Sequence, residues 1–115
     1  MILVTGGIAS GKRTYVRSLG YAESQMSSHV ASEAPVLVGL EELLREGEPT
    51  EADLRALMSK DVVVCCEVGQ GVVPMEGQER VWRERVGRTC TALAQDATRV
   101  VRMVCGIPVV IKEER

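Results

Sequence analysis

Seven consecutive residues, Gly6-Gly7-Ile8-Ala9-Ser10-Gly11-Lys12, carry the strongest chemical signal in the sequence. Two glycines five apart with a lysine after the second is the spacing of a phosphate-binding loop. Glycines let the backbone wrap so that successive N–H groups point at one anion. A helix starting there adds partial positive charge, and Lys12 would reach the β- and γ-phosphates of a bound ligand. The rival reading is an ordinary glycine-rich turn between a strand and a helix. After Gly-Lys the pattern asks for Ser or Thr, whose hydroxyl holds Mg²⁺. Arg13 stands there instead. An arginine cannot ligate a cation but can offer charge to a phosphate. Thr14 has a hydroxyl, rotated about 100° around the helix. Mg²⁺ is therefore a candidate cofactor whose usual ligand in the loop is replaced.

The second candidate is Glu67, in Cys66-Glu67-Val68-Gly69-Gln70-Gly71-Val72-Val73-Pro74. This stretch follows an apolar run, and open α/β sheets bind ligands at the carboxyl ends of their strands. Glu67 would touch a ligand hydroxyl, Mg²⁺ or a water; the alternative is a turn with an exposed glutamate. His29 is the only histidine, and Cys65, Cys66, Cys90 and Cys105 form no C-x-x-C pair. No set has metal-ligand spacing, so no metal ligands are assigned and the thiols read as small buried groups.

The elements that must position these residues follow from patterning. Residues 2–5 are a short apolar run ended by glycine, a buried strand. Residues 11–19 read as a helix closing near Gly20. Residues 21–34 are polar and small, the expected mobile loop. Residues 35–38 form a second apolar run. Leu40, Leu43 and Leu44 then fall at helical spacing, with Gly47 as a stop. Thr50 and Asp53 suggest a capping box for the next helix. Residues 62–66 are apolar throughout, as in a strand covered on both faces. The longest helix is expected from about Glu76 to Ala94, with Trp82, Val86, Cys90 and Leu93 buried. Glu76–Arg80, Glu79–Arg83 and Glu84–Arg88 are expected pairs on its wet face. Residues 98–105 and 108–112 read as a hairpin-like reversal. The whole predicts an α/β protein, a three-layer sandwich of the phosphate-loop type with a mostly parallel sheet of about five strands, folded as one domain over 1–115.

Composition narrows the class. The chain has 115 residues, 45% hydrophobic, with net charge −2. That balance lacks the basic footprint of a nucleic-acid binder. No apolar run reaches the ~18 residues of a membrane span, and no secretory signal is legible, so a cytoplasmic location and no membrane partner are expected.

Several segments together resemble the adenosylcobinamide kinase / adenosylcobinamide-phosphate guanylyltransferase family. Thr5 to Lys12 is similar to its Thr-Gly-Gly-x-x-Ser-Gly-Lys-Ser start, and Glu67 to Pro74 to its Glu-Val-Gly-x-Gly-Ile-Val-Pro segment. Trp82-Arg83-Glu84 with Gly87-Arg88 resembles its Phe-Arg-Asp-x-x-Gly-Arg helix. Gly106-Ile107-Pro108 through Lys112 resembles its closing Gly-x-Pro-x-x-Ile-Lys strand.

The resemblance implies an enzyme of cobalamin assembly and a homo-oligomer. Its members phosphorylate the aminopropanol hydroxyl of adenosylcobinamide with a nucleoside triphosphate, then transfer GMP through a guanylylated histidine. It implies catalytic roles for Lys12 and Glu67, and nucleotide contacts from Gly6, Gly7, Ile8, Ala9, Ser10, Gly11, Lys12, Arg13, Gly69 and Arg88. The segment carrying the family's His-His and Arg-Pro signature is shortened here, so His29 is not assigned the nucleophile's role. The family's acidic residue after the next strand aligns with Gly39, and Glu41 is expected to point elsewhere. Three functions remain open: a phosphotransferase acting on a corrinoid with GTP or ATP, without the guanylyl-transfer half; a non-catalytic nucleotide- or corrinoid-binding relative; and a structural partner subunit with a vestigial loop.

Overall fold

The computed structural model describes residues 1–68 and 77–114. Its six-stranded sheet has the order β2-β3-β4-β1-β5-β6. The strands are β1 (Ile2–Gly6), β2 (Met26–Ser27), β3 (Val36–Leu37), β4 (Val62–Cys66), β5 (Arg99–Val104) and β6 (Ile107–Glu113). The helices are α1 (Lys12–Ser18), α2 (Leu40–Leu43), α3 (Glu51–Met58) and α4 (Gly77–Asp96). All pairings are parallel except β5 with β6.

The apolar runs explain the centre. β1 lies between β4 and β5, with Leu3 opposite Val63 on one side and Val100 on the other. Alternate residues feed two cores. Leu3, Leu37, Val63 and Val100 pack under Leu40, Leu44, Leu57, Trp82 and Leu93, on the face covered by α2, α3 and α4. Val4, Val36, Val62, Val64, Val101 and Met103 pack under Val16 of α1 on the other face. Helices on both faces of a mostly parallel sheet make the three layers expected.

The structure corrects four details. The sheet has six strands because the polar stretch 21–34 contains β2, whose Met26 packs on the α1 face beside β3. The buried positions of α4 are Trp82, Val86, Thr89 and Leu93, with Cys90 only partly buried against the same core. Glu79 and Arg88 pair across elements, Glu79 with Arg45 at 3.0 Å and Arg88 with Glu48. These pairs hold α4 to the segment after α2. Of the thiols, only Cys65 is fully buried, and Cys105 is exposed. The expected Glu76–Arg80 pair lies outside the described residues.

Several local expectations hold. Thr50 Oγ1 accepts the Asp53 N–H at 3.1 Å and Asp53 Oδ2 accepts the Thr50 N–H at 2.9 Å, a capping box at the start of α3. The β5–β6 reversal turns at Cys105 and Gly106, both with positive φ (50° and 77°). That is the backbone a two-residue hairpin turn demands.

Candidate functional site

The phosphate loop joins β1 to α1, as its sequence requires. Gly6 closes β1 with φ 153°. A Cβ there would meet the Met103 carbonyl oxygen at 2.8 Å, so only glycine lets the loop leave the sheet beside β5. Gly11 starts α1 in the left-handed region at φ 91°. Lys12 lies back over the loop: its Nζ donates to the Gly7 carbonyl at 2.5 Å and to Ser10 Oγ at 3.4 Å. Ile8 is 90% exposed at the loop's tip.

A cavity of about 390 Å³ opens beside this loop, within the range of small-ligand pockets. Ala9 through Thr14 form one wall, and Val38, Gly39, Glu41, Val64 and Cys66 line the rest. The parallel strands β3 and β4 both end at it, where the strand-end rule places ligands. Lys12 and Arg13 supply positive charge. Arg13 also pairs with Glu23 at 3.0 Å, and Glu23 takes Arg17 as well.

Glu41 overturns the expectation that it points elsewhere. Its Oε1 accepts the Cys66 N–H at 2.7 Å, which turns the carboxylate toward the end of β4. Gly39 begins α2 in the left-handed region at φ 74°, and that turn sets the direction of the helix carrying Glu41. Trp82 Nε1 donates to the Glu41 carbonyl at 2.8 Å, so α4 fixes the same residue from behind. Periodicity alone could not find this, because the direction of a four-residue helix depends on the backbone turn before it.

Glu67 stands at the end of β4, its N–H donating to the Gly6 carbonyl at 2.8 Å. Its carboxylate takes a two-pronged bond from Arg102 of β5, at 2.7 and 3.1 Å. Arg102 was missed in the sequence. It stands on β5 opposite Thr5 of β1, exposed between buried Val101 and Met103, and its side chain reaches past β1 to Glu67. This pairing raises the Arg102 pKa above its ordinary value.

The remaining candidates lie apart or outside the described residues. Arg88 sits on the outer side of α4 bonded to Glu48, away from the phosphate loop's cavity. His29 is exposed and does not line that cavity. Gly69 lies outside the described residues. Cys66 does line it, and burial is the first cause of its raised pKa, partly offset by Lys12. It is a thiol there, not a ready nucleophile. Cys65 is pushed up further by its hydrogen bond with Cys90 and by burial.

The donor set fits a triphosphate: a glycine-rich loop, a lysine over it, and an adjoining cavity of ligand size. It also fits a divalent cation, because Glu41 lines the same cavity with one carboxylate oxygen beyond the Cys66 bond. Fold and site together define an α/β protein of the phosphate-loop, nucleotide-binding class. The sequence model of the cobinamide kinase / cobinamide phosphate guanyltransferase family matches residues 40–111, more than half of the chain. The chain belongs to that family, whose members are nucleotide-dependent transferases of cobalamin biosynthesis. The match begins just after Gly39, so the phosphate loop's case rests on its own residues. A comparison with curated proteins found no match. Among the described residues, no helix is long and apolar enough to cross a membrane.

Proposed function

We propose that this chain binds GTP or ATP on its phosphate loop and passes the terminal phosphoryl group to the aminopropanol hydroxyl of a corrinoid such as adenosylcobinamide. The observation that carries this reading is the Lys12 loop opening onto a cavity at the ends of β3 and β4, in a chain of this family. The loop N–H groups and Lys12 hold the phosphates and steady the charge that builds on them during transfer. The acceptor oxygen attacks the γ-phosphorus, the bond to the β–γ bridging oxygen breaks, and the hydroxyl proton is released. A divalent cation, when bound, neutralises charge on the phosphate oxygens. Glu67, next to the cavity-lining Cys66 at the end of β4 and held by Arg102, is assigned a ligand hydroxyl or a water in this reading. A homo-oligomer in the cytoplasm is part of the same proposal.

Guanylyl transfer is absent from this reading. A guanylyl-enzyme needs an imidazole held in line with the α-phosphate. His29 is exposed and outside the cavity wall. A second reading, a non-catalytic nucleotide-binding relative, draws support from Arg13, which takes the place of the metal-binding hydroxyl and pairs with Glu23.

Calorimetry with GTP and ATP, followed by transfer of γ-labelled phosphate to adenosylcobinamide, tests the proposal. Lys12→Ala is expected to weaken triphosphate binding by about 1–3 kcal/mol, the scale of a charge-assisted contact. Binding without transfer selects the second reading. No triphosphate binding at millimolar concentration rejects both and leaves a structural subunit. Incubation with α-labelled GTP should leave no label on the denatured protein.

A further inference from the structure

Among the described residues that line the phosphate-loop cavity, Glu41 alone is acidic. It is held at two points, its Oε1 by the Cys66 N–H and its backbone carbonyl by Trp82 Nε1. A Cβ built on Gly39 would stand 3.8 Å from Oε2, so residue 39 and the Glu41 carboxylate share one patch of the cavity wall. The same cavity is lined by Lys12, Arg13 and the glycine-rich loop, whose positive charge attracts a polyanion. A carboxylate facing a triphosphate across one cavity repels it. A divalent cation between them reverses that sign. Mg²⁺ keeps several waters and is held by one or two carboxylates together with substrate phosphates. Arg13 offers the cation no oxygen, so a protein ligand must come from another part of the wall.

We infer that Glu41 is the carboxylate that receives the divalent cation of a bound triphosphate, directly or through a water of the cation. The inference rests on the triphosphate reading above and adds a requirement to it. Glu41 opposes nucleotide binding when no cation is present and supports it when one is.

The test is calorimetry with a non-hydrolysable GTP analogue, once with EDTA and once with excess Mg²⁺. Glu41→Gln keeps an oxygen to accept the Cys66 N–H and removes only the charge. It is expected to tighten the metal-free affinity about threefold and to reduce the enhancement by Mg²⁺ about tenfold or more. A purely structural role would shift both affinities in the same direction by the same factor, and that result overturns the inference. So does an unchanged Mg²⁺ enhancement. If Glu41→Gln does not fold, Glu41→Asp decides. With its charge kept and its reach shortened, it should bind as wild type in EDTA and more weakly in Mg²⁺. Equal losses in both buffers overturn the inference. Failure of the wild-type protein to bind the analogue in either buffer overturns the triphosphate reading itself.

Discussion

The Gly106 N–H donates to the Ser10 carbonyl at 3.0 Å, tying the β5–β6 turn to the phosphate loop. A Cβ on Gly11 would stand 3.3 Å from the Gly106 Cα, and Gly11 is already in the left-handed region. Gly11→Ala should therefore cost about 1–2 kcal/mol from the backbone alone. It should also push the turn off the loop. Thermal unfolding and nucleotide calorimetry on the one variant check both effects; a wild-type melting temperature would contradict the first.

Trp82→Phe should preserve most of the packing of α4 and remove the bond to the Glu41 carbonyl. Trp82 is 8% exposed, so the carbonyl loses its partner in a largely dry place. The expected loss of stability is about 1–2 kcal/mol in urea unfolding. The same variant should blunt the Mg²⁺ enhancement of nucleotide binding, because α2 is then held at one point fewer.

Arg102→Gln should weaken nucleotide binding, since the Glu67 charge beside the phosphate loop loses its two-pronged partner. The Arg102 side chain is 44% exposed, so salt screens this effect. Affinities of wild type and variant should converge between 50 mM and 500 mM NaCl, about a threefold fall in screening length. A salt-independent difference would point to packing instead.

The core was legible where the hydrophobic pattern had a single solution. Ile2–Gly6 and Val62–Cys66 are adjacent interior strands because their apolar runs leave no wet face. The turn from β1 into α1 was legible for a similar reason, Gly6 and Gly11 marking positive-φ backbone that other residues adopt only at a cost. Glu41 and Arg102 were hidden because their directions come from partners far along the chain, Cys66 for one and Glu67 for the other. β2 was hidden because two residues are too few to show a period. Arg88 carried a motif resemblance but stands on the wet side of α4, where its partner is Glu48.

Tyr21 provides a pH probe. Its hydroxyl donates to Asp61 Oδ2 at 2.9 Å, and that bond, with burial and the nearby charge, raises its pKa above 10.0. The neutral phenol is the bonded form. Its contribution to stability is complete below the unfolded pKa, about 10, and is lost as pH rises through the folded value. The difference in urea midpoint between wild type and Tyr21→Phe should shrink as pH climbs from about 9 to 11.5. A difference that stays constant would mean that the bond contributes nothing.

β1 is synthesised before either of the strands that flank it. Ile2 pairs with Val62 and Arg99, sixty and ninety-seven positions later. Parallel partners at such separation are slow to find one another. Until β5 leaves the ribosome, a nascent chain carries Ile2, Leu3 and Val4 with at most one neighbour, a strand edge open to other chains. The turn that braces the phosphate loop emerges later still. The loop after β1 therefore gains its bond from the Gly106 N–H only once translation has passed that turn.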